Sequence, residues 1–187
     1  MNKKHQARVT TYPTLRRGLP SWLAWLGLDR EILIFCLLFG MMIAIFMLVL
    51  QTDFFQTNVF IPHLHQTASV CGKILGLFGK KYKIVESSVF SPDFSLSLIR
   101  GCDSIYPTAM LWSAILAFSA PWRSKAIGLI VGAILLYCIN VVRILSMFFF
   151  GAYFPSLFDV VHIYAWQSLF ILFTLSIFLM WVVRIRR

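Results

Sequence analysis

Apolar residues along this chain gather into four long runs separated by short polar breaks, a pattern that predicts helices because each run far exceeds the length of an ordinary strand. The first run, 32–50, lies between Asp29, Arg30, Glu31 and Gln51, Thr52, Asp53, and it meets the ~20 residues needed to cross ~30 Å of hydrocarbon. The second, 104–120, ends at Pro121, Trp122, Arg123, Ser124 and Lys125, a polar turn whose indole suits the headgroup level. The third, 126–151, is interrupted by Asn140 and Arg143, and the fourth, 161–183, stops at Arg184, Arg186 and Arg187. The expected fold class is therefore an all-α polytopic membrane protein of about four spans. A single membrane-embedded domain, 31–187, follows a basic N-terminal segment, 1–30.

Between the first two runs the pattern changes. Residues 59–78 mix apolar and polar positions and contain Pro62, His63 and His65, which predicts an amphipathic helix lying on the membrane surface. Residues 82–98 alternate loosely with Ser and Pro punctuation, as a short hairpin would.

Composition supports lipid as the solvent. With 59% hydrophobic and 13% charged residues and a mean hydropathy of +0.81, the chain cannot cover a soluble surface with polar groups. A net charge of +10 would suggest nucleic acid in a soluble protein, but here the basic residues flank the apolar runs and set orientation instead. Lys3, Lys4, Arg8, Arg16, Arg17, the Arg123/Lys125 turn and the C-terminal arginines all fall on one side of a four-helix layout, which places both termini in the cytoplasm. The segment 51–100 then faces outward. Its Lys73, Lys80, Lys81, Lys83 and Arg100 run against the positive-inside rule, which is weak for long segments. Arg16-Arg17 matches a twin-arginine signal only loosely, and the first helix lacks a small-residue cleavage pattern, so it is expected to be retained.

An ionisable side chain inside a span is costly and marks a functional site by default. Arg143 is such a residue, roughly 12 Å below the outer end of the third helix at 1.5 Å per residue. Asn140 and Ser146, three positions either side, share its face and form a polar stripe. The layout brings Cys102 to the outer mouth of the second helix and His162 to that of the fourth. These three side chains suit acyl transfer: positive charge favours the Cys102 thiolate, His162 protonates a leaving amine, and Arg143 stabilises the tetrahedral oxyanion. Gly101 allows close approach to the sulfur. Asp159 either orients His162 or caps the last helix.

Other readings of the same residues stand beside this one. Arg143 can snorkel or form a polar lock in a non-enzymatic membrane scaffold, and Cys102 can serve a membrane acyltransferase that acts on lipid. Cys36 and Cys138 are expected as packing residues inside spans. Cys71 shares the outer side with Cys102 and is a candidate disulfide partner. His63 and His65 have no third ligand and do not share a helix side, so no metal and no cofactor is expected.

The stretches Ile99-Arg100-Gly101-Cys102-Asp103, Asn140-Val141-Val142-Arg143-Ile144 and 155–162, ending in His162, resemble the exosortase and archaeosortase membrane transpeptidases. The chain is most similar to the short exosortase H branch. The resemblance covers residues from Tyr82 onward and implies an enzyme that recognises a C-terminal sorting tail on exported proteins, built of a short motif, an apolar span and a basic end. It implies cleavage near the outer membrane face and transfer of the new carboxyl end to a surface acceptor. Cys102, Arg143 and His162 would be nucleophile, transition-state stabiliser and acid/base. The partners implied are tailed proteins and membrane lipid, with no nucleic acid. Where many relatives read Cys-Ser-Gly this chain has Cys102-Asp103-Ser104, which puts a negative charge beside the sulfur.

Overall fold

The computed structural model describes residues 30–92, 94–98, 101 and 103–186. Cys102 and nearly all of the basic N-terminal segment lie outside the described residues. Helix α1 (Arg30–Leu50) opens with Glu31, an acid suited to a helix N-terminus. It stops at Thr52, whose hydroxyl donates to the Val49 carbonyl and accepts from the Phe55 N–H, closing one helix and opening the next. A helical turn (Asp53–Phe55) and a π turn (Gln56–Phe60) lead into α2 (Ile61–Leu77). The expected amphipathic helix is present as Ile61–Leu77, and the π turn Gln56–Phe60 extends its helical course back beyond the expected start at residue 59 without breaking the chain. Its buried face carries Leu64, Thr67, Ala68, Cys71 and Leu75, a 3.6-residue period. Gly79, at φ 75°, ends it, with Lys80 N–H reaching the Leu75 carbonyl and Gly79 N–H the Gly76 carbonyl.

The expected hairpin is a three-stranded antiparallel sheet, β1 (Lys83–Val85), β2 (Ser88–Phe90) and β3 (Ser95–Ser97), in the order β1-β2-β3. The Ser91-Pro92 punctuation forms a second turn, closed by Ser91 N–H on the Phe94 carbonyl. At the first turn Glu86 has φ 53°, and the His65 ring donates from Nδ1 to its carbonyl at 2.6 Å, bracing the turn against α2.

Three longer elements complete the chain. Helix α3 (Ile105–Ala117) has 13 residues, α4 (Trp122–Tyr153) has 32, and α5 (Trp166–Arg186) has 21. A 3₁₀ turn (Pro155–Leu157), a helical turn (Phe158–Val160) and a π turn (Val161–Ala165) precede α5. Among the described residues, α1, α4 and the segment Pro155–Arg186 are long and apolar enough to cross a membrane. Helix α3 is apolar but about 20 Å long at 1.5 Å per residue, shorter than the hydrocarbon core. Large apolar side chains cover the outer faces, among them Leu37, Leu48, Ile127, Ile130, Ile171 and Leu172. Such a continuous greasy exterior is what lipid solvates. The protein is an all-α polytopic membrane protein with one small sheet. Cys36 and Cys138 belong to that exterior, which corrects their expected role as interior packing: both are exposed.

The chain divides between Ile34 and Phe35 into two compact units, and the packing described here belongs to the second. Two apolar cores flank α4 along its length. One joins Leu64, Ala68 and Leu75 of α2, Val89 and Leu98 of the sheet region, and Val141, Ile144 and Phe148 of α4. The other joins Leu111 and Ile115 of α3, Leu136 of α4, and Phe170 and Ile177 of α5. Indole hydrogen bonds tie the helices together, Trp112 to the Leu129 carbonyl and Trp181 to the Ser124 carbonyl. At Gly132 the α3–α4 approach is so close that an added Cβ would stand 2.5 Å from Leu111 Cδ2.

Cys71 is a free thiol, 1% exposed in the first core, which stands against the disulfide reading. Burial pushes its pKa up to about 12.

Two outcomes follow from this packing. Gly132→Leu drives a side chain into Leu111 and should lower the thermal midpoint in detergent, by an overpacking cost of about 1–3 kcal/mol, whereas Ile130→Leu on the outer face should not. A variant whose only cysteine is Cys71 should resist alkylation at pH 8 while folded, because its thiolate fraction is on the order of 10⁻⁴. It should react readily once unfolded; rapid labelling of the folded protein would contradict this burial.

Candidate functional site

The middle of α4 carries a polar layer between the two apolar cores. Asn140 is fully buried and Arg143 is 5% exposed. A guanidinium at that depth needs partners, and it has them: Arg143 Nη1 donates to the Gly101 carbonyl at 2.8 Å, and the guanidinium carbon lies 5.4 Å from the centre of the Phe170 ring. Ser146 does not extend a stripe toward it. Its hydroxyl turns back to donate to the main-chain carbonyl of Arg143 at 2.7 Å.

The loop that receives Arg143 is built by its own sequence. Gly101 adopts φ 93°, a left-handed conformation that other residues resist. Its N–H donates to Asp103 Oδ2 at 3.0 Å, and Ile105 N–H donates to Asp103 Oδ1 at 2.9 Å. The Asp103 carboxylate, 2% exposed, thus folds the turn and serves the first turn of α3. Seen in sequence it was only a charge beside Cys102; the signal available was an Asp just ahead of a helix start. Cys102 itself is outside the described residues, but both of its chain neighbours are in this network.

His162 lies in the π turn ahead of α5, half-buried, its ring centre 5.8 Å from that of Phe158. Single π turns recur at functional positions because they re-aim a side chain without ending the helix. The turn places His162 on a cavity of about 150 Å³ whose walls include Arg143, Phe158, Leu96 and Leu98. Arg143 also borders a second cavity, about 210 Å³, together with Gly101, Asp103, Tyr106 and Gln167. Of the three residues singled out from sequence, Arg143 and His162 therefore share one cavity, and Arg143 grips the residue preceding Cys102. Asp159 does not cap the last helix: it lies inside the turn Phe158–Val160, whose N-cap is Leu157.

A residue that the sequence reading left on a surface helix belongs to this neighbourhood. The His63 ring packs against Tyr137 of α4, with centroids 5.7 Å apart. Its Nε2 is buried without a hydrogen bond. Burial lowers its pKa, and the nearby Asp103 charge partly opposes that shift. His65, committed to Glu86, points elsewhere. Among the described residues no group of three His, Cys, Asp or Glu is placed to hold a metal ion.

The arrangement offers a buried cation and an imidazole on one small apolar cavity, with the cation also bonded to a glycine turn beside a second, a set able to polarise a carbonyl and move a proton. Comparison with curated proteins and with solved structures found no match. A profile of the family described as transmembrane exosortase (Exosortase_EpsH) matches residues 19–182, which takes in α1, the sheet, the Gly101 turn and both Arg143 and His162. With nearly the whole chain matched, the protein belongs to the transmembrane exosortase family.

Proposed function

We propose that this protein is a membrane cysteine transpeptidase that removes C-terminal sorting tails from exported proteins. The observation that carries the reading is that Arg143 and His162, from different helices, line one cavity while Arg143 binds the carbonyl next to Cys102. In the reaction the Cys102 thiolate attacks the scissile carbonyl carbon, and the electron pair moves to the oxygen. Arg143 stabilises that oxyanion in a partly dehydrated site. His162 gives its proton to the leaving amine as the C–N bond breaks, leaving a thioester on Cys102. An acceptor nucleophile then attacks the thioester, loses its proton to His162, and releases the thiolate. A guanidinium carries five N–H donors in a planar fork, so holding the Gly101 turn and binding an oxyanion are compatible tasks.

Orientation completes the reading. In a four-span layout, α3 together with the chain leading into it makes the second crossing. The basic termini and the Arg123/Lys125 turn then lie on the cytoplasmic side, and the Gly101 turn and His162 at the outer face of the cell membrane, where exported substrates and a surface acceptor are. A second reading is favoured by the Arg143–Gly101 hydrogen bond alone, which would serve equally as a polar lock in a non-enzymatic scaffold.

Co-expression with a tailed protein from the same genome distinguishes the two. Cys102→Ala should abolish tail cleavage, while Cys36→Ser, Cys71→Ala and Cys138→Ser together should leave it largely intact; native-rate cleavage by Cys102→Ala would end the enzyme reading. Arg143→Lys keeps the charge but shortens the reach and removes the fork. It should accumulate normally in the membrane yet cleave on the order of 10²-fold more slowly. Lost accumulation would instead support the lock.

Topology is tested separately with an impermeant thiol reagent. Cysteines introduced near Ser91 and Pro155 should label from outside, and one near Ser124 only after the membrane is opened. The reverse pattern would remove the site from exported substrates.

A further inference from the structure

Strand β3 is an edge of the sheet, and its pairing fixes which of its main-chain groups are used. Leu98 N–H donates to the Ser87 carbonyl at 3.0 Å and Ser91 N–H to the Phe94 carbonyl at 3.1 Å. Neighbouring residues of an antiparallel strand alternate between facing the partner strand and facing away. Phe94, Leu96 and Leu98 therefore turn their main-chain groups to β2, and Ser95 and Ser97 turn their N–H and C=O groups outward. Among the described residues nothing is bonded to those four groups.

The same strand borders the cavity holding Arg143 and His162. Leu96, Ser97 and Leu98 all line it. Leu96 and Leu98 share one face of the strand, and Ser97 between them borders the same space, so the cavity lies directly against β3. Across the gap stand Arg143, Ile144 and Met147 of α4. Exposed edges are ordinarily guarded by lysine, proline or a covering element, yet the outward positions here are two serines, one of them occupied with its Ser88 neighbour through a 2.9 Å hydroxyl pair.

We propose that the segment of the substrate to be cut binds as an added strand on β3, its backbone held by Ser95 and Ser97 and alternate side chains entering the cavity. The inference rests on the peptidase reading and names the form in which the substrate is bound. Outward N–H and C=O groups two residues apart are complementary to another extended peptide backbone. A lipid acyl chain offers nothing to pair with them. Cys102 follows Ser97 by five positions in the sequence, so a substrate aligned on β3 is held by the stretch of chain just ahead of the nucleophile.

The test uses the full-length enzyme in detergent and synthetic peptides covering the cleavage region of a tail that it processes, each with one backbone amide N-methylated. Strand addition predicts alternation: methylation at every second position should lower kcat/KM by about tenfold or more, since it deletes a donor and leaves an acceptor unmet, while the positions between are tolerated. Ser97→Pro in the enzyme removes an outward N–H that the ladder does not use. It should raise KM by a similar factor while Cys102 is alkylated at the wild-type rate. The peptide scan leaves the enzyme untouched and so stands even if that variant misfolds. Cys102-dependent cleavage with a flat or contiguous scan would overturn strand addition alone. Absence of Cys102-dependent cleavage would overturn the peptidase reading, and this inference with it.

Discussion

A guanidinium in the interior of an apolar helix bundle has to find acceptors, and in this protein Arg143 finds one in the carbonyl of Gly101. Much of the site depends on that hydrogen bond. Gly101 presents its carbonyl because it holds a left-handed conformation, and the Asp103 carboxylate stabilises that conformation by accepting the Gly101 and Ile105 N–H groups. A change at any of the three residues would reach the other two, because an unmatched donor or acceptor in a buried, low-dielectric place costs about 1–3 kcal/mol and more for a charged group. Two apolar cores meet α4 on either side of these buried polar groups, with Val141 and Ile144 in one and Leu136 in the other.

The same constraint shapes the cavities. Arg143 is a wall of two of them, one toward β3 and His162, the other toward α3 and Gln167. A side chain that must reach a loop carbonyl cannot also fill the space on both sides of itself. Cavities next to a rigid cation are therefore a consequence of the anchoring, and a site that stabilises developing negative charge needs this geometry in place before substrate arrives.

Helix irregularity is placed where the site needs it. The π turn Val161–Ala165 carries His162, and the π turn Gln56–Phe60 precedes the helix that brings His63 against Tyr137. Straight spans would follow from apolar runs alone. Each of the two π turns instead alters the direction in which subsequent side chains project, and it does so without exposing main-chain groups to lipid.

Apolar run length and charge at the run ends determined the membrane class, because hydrocarbon accepts only segments that satisfy their own main-chain hydrogen bonds. The rarity of charge in lipid was enough to single out Arg143, and its spacing from Asn140 was readable as a shared helix face. The amphipathic period of α2 was legible for the same reason. What Ser146 does with its hydroxyl was not, since a helix offers Ser its own carbonyls as well as a neighbour. Nor could sequence show that Asp103 ties the Gly101 turn, that Cys71 points into a core while Cys36 and Cys138 face outward, or that His63 lies near Asp103. Those depend on which helix faces meet, and pairings between residues distant in sequence leave no local periodicity behind. The open edge of β3 belongs to the same category: alternation in residues 82–98 predicts strands, but only the order of the sheet and the position of α4 decide which strand is left unpaired and what it faces.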